Sequence, residues 1–520
     1  MPRSRPFAAL CKHIRFPAAP LLLAALSTAL LPAGARADSG LGEQFAQQMT
    51  IADLRTHLHA LQDIARANGD TRASGTKGYR QSARYVAREL RKAGYDVEVQ
   101  PFAYLLYEEK TPPVLDRLSP TSETYEPDED FASMTYSGAG DVTGTLVPAA
   151  GIVIPPTEQP SSASGCAAND FPPQTAGNIA LVQRGACDFA VKAANAIAAG
   201  AVGVIIFNEG NPSDPSRVGM YYGTLGGPVA VPVLSTSFPV GEELYQLTQS
   251  GAVTVRIVVD ATTTETETVN VIGTTRTGDP DHAIVVGAHL DSVPQGPGIN
   301  DNGSGVAAIL QIAENLARYK TEETRNQVRF AFWGAEEDGL FGSTYYVNSL
   351  RKKARAKIAL NLNFDMLASP NYVRFVYDGD GDVGPKGPKG SGEIENVFVR
   401  YFDRKGLKTE PTAFDGRSDY GPFIEAGIPA GGLFSGAEEI KTKKQAKIYG
   451  GEAGVAYDVC YHQACDTMRN INNEGFLQLA RGAAYATYVM AKRRFAPDRG
   501  PDELAASKLE LKYRGNRLVR

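Results

Sequence analysis

Two histidines and several carboxylates stand where apolar segments end. Segment 283–305, AIVVGAHLDSVPQGPGINDNGSG, holds the first group. Ile284, Val285, Val286 and Ala288 make an apolar run, broken only by Gly287, that stops at His289. Asp291 follows, a Gly/Pro loop leads to Asp301, and a helical pattern opens at Ser304 (Val306, Ile309, Leu310, Ala313, Leu316). Glu336-Glu337 follows VRFAFWG, Asp365 ends IALNLNFD, and His462 lies in CYHQACD. Histidines and carboxylates at successive strand ends suit a pair of divalent ions. The mixture favours zinc over magnesium or calcium, which take oxygen ligands alone. Of two adjacent glutamates, one can ligate while the other stays free as a base. Singly, each residue has a plainer role as a turn, cap or core residue. Together they are hard to bury without cations.

The elements that must position them alternate. Residues 44–67 carry helical periodicity, with His57 and His59 read as packing or surface residues. GYRQSARYVARELRKAGYDVEVQPF predicts a helix (Ala83, Val86, Ala87, Leu90) stopped by Gly94, then a strand at 97–102. Residues 111–135, rich in Pro, Ser, Thr and Glu, read as a linker. From 136 to 262 the chain changes to short strands and glycine turns with one helix, 190–199, and contains no histidine. That stretch reads as a β-rich insertion without catalytic equipment. From 270 onward strand and helix alternate, which implies α/β architecture around a mostly parallel or mixed sheet. In 378–392, Asp378, Asp380 and Asp382 have a calcium-loop spacing, but Val383 stands where that turn needs Gly, so a solvated loop is expected. A last helix is expected over 474–494 and a charged, irregular tail over 496–520.

The chain has 520 residues, is 43% hydrophobic and carries a formal charge of −5, which fits a multidomain globular protein and argues against a nucleic-acid binder. Residues 1–37 combine a basic start with the apolar run PAAPLLLAALSTALLPAG, and Ala35-Arg36-Ala37 fits cleavage near Ala37-Asp38. An exported chain, extracellular or periplasmic, with no membrane span after processing is the expectation. Four cysteines then remain, Cys166, Cys187, Cys460 and Cys465. Of three connectivities, the local pairs Cys166–Cys187 and Cys460–Cys465 are expected.

GAHLDS, GINDNGSG, FWGAEEDGLFGS, LNFDML, GRSDYGPF, GGLFSGAE and YHQACDT occur in this order. The set resembles the secreted co-catalytic zinc aminopeptidases of clan MH, over about 40–110 and 266–495. GNIALVQRGACDF and GAVGVIIFN resemble a protease-associated (PA) domain. The resemblance implies a phosphorylase/hydrolase-like α/β peptidase domain at 38–135 and 263–495, with a PA domain inserted at 136–262. It implies two Zn2+ ions bridged by Asp301, one completed by His289 and Asp365, the other by Glu337 and His462. Glu336 matches the general base, Asp291 the carboxylate that orients His289, and Tyr461 a hydrogen-bond donor to the tetrahedral intermediate. Glu336, Asp365 and the backbone carbonyl of Arg417 would receive the free amino terminus of a peptide. Met366 and Phe434 would line an apolar pocket for its first side chain. In relatives the Asp301–Asn302 peptide is cis. Asn302-Gly303-Ser304 is nominally a glycosylation sequon, but a glycan there would block the site.

Two other readings differ in what they require. A glutamate-type carboxypeptidase of the same clan needs a helical domain after 495 and a basic pocket. Lys441, Lys443 and Lys444 are the nearby basic cluster and read as a solvated loop. A non-catalytic, receptor-like homologue should have lost ligands, and this chain keeps them all. Oligomeric state is not legible.

Overall fold

The computed structural model describes residues 33–157, 162–319, 324–493 and 511–520. The expected leader therefore lies outside the described residues up to residue 32, as does 496–510 of the expected tail. Asp279–His289 runs through the middle of the peptidase sheet, parallel to Asn326–Trp333 on one side and Ile358–Phe364 on the other. Ala430–Phe434 extends the parallel run beyond Ile358–Phe364. Phe375–Tyr377 and Thr254–Thr274 flank it antiparallel, so the sheet is mixed. Register sets Trp333 beside His289 and Asn363 beside Gly287. The segments carrying Glu336 and Asp365 therefore leave the sheet at the same carboxyl edge as His289.

Both sheet faces are covered, which explains the near-continuous apolar strands. Ile284, Val286 and Ala288 face helices Ile51–Arg66, Lys77–Ala93, Gly303–Arg318 and Asn473–Lys492. Val285 points the other way, into a cluster with Trp333 and the helix Phe341–Ser349. Gly287 interrupts the run because a Cβ there would meet Trp333 Nε1 at 2.6 Å. The periodicity over 44–67 resolves into two helices, Ala33–Gln47 and Ile51–Arg66, the second capped by Thr50 through the Asp53 N–H. Among the described residues, no helix is long and apolar enough to cross a membrane.

The linker expected over 111–135 is in large part strand. Asp96–Ser119 pairs with Thr254–Thr274 from Asp96↔Thr274 to Ser119↔Thr254. Near one end Thr254–Thr274 bonds to Asn326–Trp333, and near the other to Gly140–Pro148. One pair of long strands thus carries the chain out of the peptidase sheet and back. Pro112 and Pro113 mislead the sequence reading. They sit where the register shifts between Thr111 and Val114, so neither breaks a ladder bond. Beyond them Leu115 is fully buried with Val255 and Ile257. The inserted module continues as the parallel strands Gly140–Pro148, Ile179–Gln183, Gly203–Phe207 and Val233–Thr236, with Phe131–Ser133 antiparallel at the far edge. Its helices, Phe189–Ala198 and Phe238–Ser250, join the two apolar clusters of this sheet.

Leu115→Ala distinguishes strand from linker. Truncating a fully buried leucine costs about 2–5 kcal/mol. Equilibrium denaturation should show that loss, whereas a change within about 0.5 kcal/mol is what a solvated linker would give.

Candidate active site

The seven acidic and imidazole side chains singled out by type and spacing meet in one buried cleft at the carboxyl edge of the sheet. Asp301 lies at its centre. Its Oδ1 is 3.1 Å from His289 Nε2, and its Oδ2 is 3.2 Å from His462 Nε2. On the first side Asp365 Oδ1 stands 3.3 Å from His289 Nε2. On the second Glu337 Oε2 stands 3.0 Å from His462 Nε2. One carboxylate therefore serves two histidine–carboxylate groups with one oxygen each. Glu336 Oε2 stands farther back, 3.9 Å from His289 Nε2, at the outer limit of an ion pair, and lies close enough to His289 and Asp365 to share a cation with them.

Local structure fixes each side chain. His289 ends its strand and directs Nδ1 to the Asp291 carbonyl at 3.2 Å. The Asp291 carboxylate is slightly farther from that ring, at 3.7 Å. Each of its oxygens instead accepts a backbone N–H, from Glu336 and Glu337, both at 3.3 Å. Asp291 thus holds the glutamate pair at least as directly as it holds the imidazole. The Asp301–Asn302 peptide is cis. The N–H groups of Asn300 and Asp301 donate to the Asp466 carboxylate at 2.8 and 2.9 Å. Asn302, buried, donates to the Phe364 carbonyl and caps the helix Gly303–Arg318, which leaves no room for a glycan. Asp365 Oδ2 accepts from Ser418 Oγ at 2.6 Å. His462 adopts φ +58° inside the loop closed by Cys460–Cys465, and the Tyr461 ring stacks on it at 3.9 Å. Cys166 and Cys187 are bonded in the inserted module.

The donor set fits divalent cations. Asp365 Oδ1 and Glu337 Oε1 are buried without a hydrogen-bond partner among the described residues, and buried carboxylate oxygens are costly to leave so. Burial, then the charges of Glu337, Asp419 and Asp365, pushes Glu336 well above the usual carboxylate range. Burial alone would lower both histidines. The carboxylates facing them reverse that, raising His289 well above its ordinary value and His462 to about 10. The cleft is thus short of positive charge and gathers protons to supply it.

Arg417, Met366 and Phe434 line the same cleft, with Tyr377 and Tyr420. The Arg417 guanidinium bonds Glu438 at 2.6 Å and the Tyr461 hydroxyl at 3.2 Å. Sequence reasoning gave no role to Arg72, Ser418 or Asp466. Arg72, fully buried, donates to the carbonyls of Leu290, Pro297 and Gly298 and pins the loop between His289 and Asp301. Asn516, from the expected tail, also reaches the cleft. Ser418 and Asp466 sit in quoted motifs, GRSDYGPF and YHQACDT, and could have been found there. Arg72 and Asn516 have no such signal. Two plainer expectations also resolve. Asp378 is buried and its carboxylate accepts four loop N–H groups, from Gly381 to Gly384. Lys441 is not solvated: it is buried, with its Nζ on the Asn371 and Tyr372 carbonyls.

Comparison with known proteins decides the family. The model of peptidase family M28 matches residues 270–487, and the PA-domain model matches 142–244. An aminopeptidase of Pseudomonas aeruginosa (strain PAO1 among others) is 46% identical over 453 residues, covering 86% of this chain and 82% of that one. The chain belongs to peptidase family M28. A probable leucine aminopeptidase 2 of Aspergillus fumigatus is 40% identical to this M28 peptidase, over 86% of its chain and 84% of the relative. Among solved structures, the aminopeptidase of Aneurinibacillus sp. strain AM-1 superposes with a TM-score of 0.68 at 26% identity, covering 88% and 98% of the two chains. A zinc aminopeptidase of Bacillus subtilis gives 0.57 at 26% identity, covering 85% and 96%.

The carboxylates facing both histidines of this M28 peptidase favour their protonated forms when the cleft is metal-free, raising His289 and bringing His462 to about 10. A divalent ion needs them neutral, so binding must expel those protons. Zinc titrated into metal-free protein at pH 7 should give a heat that varies with buffer ionisation enthalpy, and affinity should fall as pH falls. Buffer-independent heats would contradict the proton-loaded cleft.

Proposed function

We propose that the chain is an exported aminopeptidase that holds two zinc ions and removes hydrophobic residues from the free N-termini of peptides. The observation that carries it is the division of Asp301 between the His289–Asp365 and His462–Glu337 groups. His289, Asp301 and Asp365 would hold one ion, and His462, Asp301 and Glu337 the other. Bound zinc supplies a water of lowered pKa and polarises the scissile carbonyl. The family and its zinc-containing structural relative support that metal.

The chain's own groups supply the rest. Glu336, next to the glutamate assigned to metal and set 3.9 Å back from His289 Nε2, takes the proton of the attacking water and returns it to the leaving amine. Its elevated pKa suits a group that must both accept and release a proton. The Tyr461 hydroxyl donates to the oxyanion. Glu336, Asp365 and the Arg417 carbonyl receive the substrate ammonium, which an internal peptide bond lacks. Met366 and Phe434 offer the first side chain an apolar wall. The two disulfides and the leader-like start support export.

Glu336→Ala should retain metal and lose hydrolysis of leucine p-nitroanilide by about 10²–10⁴-fold, the usual worth of a positioned general base. Wild-type turnover in that variant would remove Glu336 from the mechanism. A panel of amino-acid anilides against N-blocked peptides and peptides ending in glutamate tests the substrate class. Cleavage confined to the blocked or glutamate-terminated peptides would replace this reading with the carboxypeptidase one.

A further inference from the structure

The helix Lys77–Ala93 shows solvent one kind of side chain. Its exposed positions are Lys77, Arg80, Arg84, Arg88, Arg91 and Lys92, all of them cationic. Tyr79, Ala83, Val86 and Leu90 are buried on the opposite face. Residues three and four apart on a helix are neighbours, so the cations form one stripe, about 20 Å long from Lys77 to Arg91. The neighbouring helix Ile51–Arg66 instead exposes Ala52, Asp53, Thr56, His59, Asp63 and Arg66, a mixed set. The stripe stands in a chain whose formal charge is −5.

The fold does not need this charge and in part opposes it. Like charges three or four residues apart on one helix repel. Glu89 is the helix's one carboxylate, and it pairs with Arg88 and Lys92 at 2.8 and 3.0 Å. Among the described residues, Lys77, Arg80, Arg84 and Arg91 have no carboxylate within ion-pair distance. Arg91 and Lys92 face the negative end of the helix dipole. Lys77 faces the positive end, and no acidic residue in the first turn offsets it.

Beside the stripe lies a groove of about 390 Å³, lined by Ala60 and Ile64 from one helix and Gln81, Arg84, Tyr85 and Arg88 from the other. That size falls within the roughly 300–1,000 Å³ of ordinary ligand sites. Its walls are set in advance. His57 Nδ1 lies 2.7 Å from the Tyr85 hydroxyl, and the Asn68 amide donates to Gln81 Oε1 at 3.0 Å.

A row of cations calls for a polyanion, and the surroundings narrow its kind. A lipid surface takes an apolar wedge, yet among the described residues neither helix exposes a large apolar side chain. Single-stranded nucleic acid takes free aromatic faces. Tyr85, the one aromatic in the groove, has the Arg88 guanidinium 5.2 Å from its ring centre. Duplex DNA is read by a helix that enters its major groove, whereas Lys77–Ala93 is packed against Ile51–Arg66 and Thr254–Thr274. A linear acidic polysaccharide needs none of these. Its carboxylates or sulfates recur along one line, where guanidinium forks match them.

We propose that the exposed face of Lys77–Ala93, with its flanking groove, is a docking surface for a linear acidic polysaccharide. Binding there tethers the protein to a polymer and leaves the cleft unoccupied. The docking does not rest on the aminopeptidase reading.

The test uses the full chain with fragments of polyguluronate, which carries carboxylates, and of heparin, which carries sulfates. Calorimetry should show binding that weakens about tenfold or more between about 50 and 500 mM salt. Arg80→Gln, Arg84→Gln and Arg88→Gln together should weaken it about tenfold or more at low salt. The thermal midpoint of that variant should hold or rise, because like-charge repulsion is relieved. Glutamine at Arg351, Lys352 and Lys353, cations exposed elsewhere, removes the same charge and should leave affinity within about twofold. Binding of one polymer alone supports the proposal and identifies carboxylate or sulfate as the recognised group. The proposal falls if neither polysaccharide binds or if both triple variants weaken binding equally. It falls too if phosphatidylglycerol vesicles or a DNA duplex bind more tightly than either polysaccharide.

Discussion

One shared carboxylate sets the terms for the whole cleft. Asp301 can face His289 and His462 at once, at 3.1 and 3.2 Å, only if its backbone is held in place. Two buried groups do that fixing. Asp466 receives the N–H groups of Asn300 and Asp301. Arg72 gathers the carbonyls of Leu290, Pro297 and Gly298, which lie on the way from His289 to Asp301. Both are costly to bury. Desolvation lowers Arg72 to about 10, while the charges of Asp291, Asp466 and Asp301 oppose that fall, so it stays cationic at neutral pH. Burial and the nearby Asp458 charge push Asp466 up to about 8. Burying two ionisable groups in this way is costly, and it is found where position matters more than stability.

The long strand pair makes the inserted module part of the same mechanical unit. Asp96–Ser119 and Thr254–Thr274 run unbroken from the peptidase sheet into the module's sheet. A flexible tether would let the module wander over the cleft. Two hydrogen-bonded strands instead fix its face relative to Glu337 and His462. That rigidity is what lets one hairpin, Tyr513–Arg514 paired with Arg517–Leu518, touch both, with Leu518 on one side and Asn516 on the other.

Much of the candidate site was legible because its proposed ligands stand where strands end. His289 and Asp365 follow largely apolar runs, and a buried parallel strand announces itself by that composition. His462 was legible from a tight disulfide loop. The central mixed sheet followed from alternation of strand and helix. Three things were not legible, each for a physical reason. The strand through 111–119 carries two prolines at a register shift, and the residues that alternate inward are Pro113, Leu115 and Arg117, so burial alternates while residue type does not announce it. Arg72 has no motif because its partners are backbone carbonyls, which any sequence supplies. The hairpin at 513–518 has only two residues per strand, too short for any periodicity.

The same shortness bears on how the hairpin is held. Two paired residues per strand cannot sustain a hairpin in water. Its order must come from the surfaces it touches, the Asp415–Gly416 backbone on one side and Tyr222–Thr224 on the other. Neither surface alone offers more than a few main-chain hydrogen bonds, each worth about 1 kcal/mol net. Held at both ends, the second contact forms at the high effective concentration created by the first. Loss of either anchor therefore weakens the other, and the tip at Asn516 depends on two sites well removed from the residues it covers. Asn516 is in this way positioned beside Glu337 and His462 from two directions, by the peptidase backbone and by the PA face.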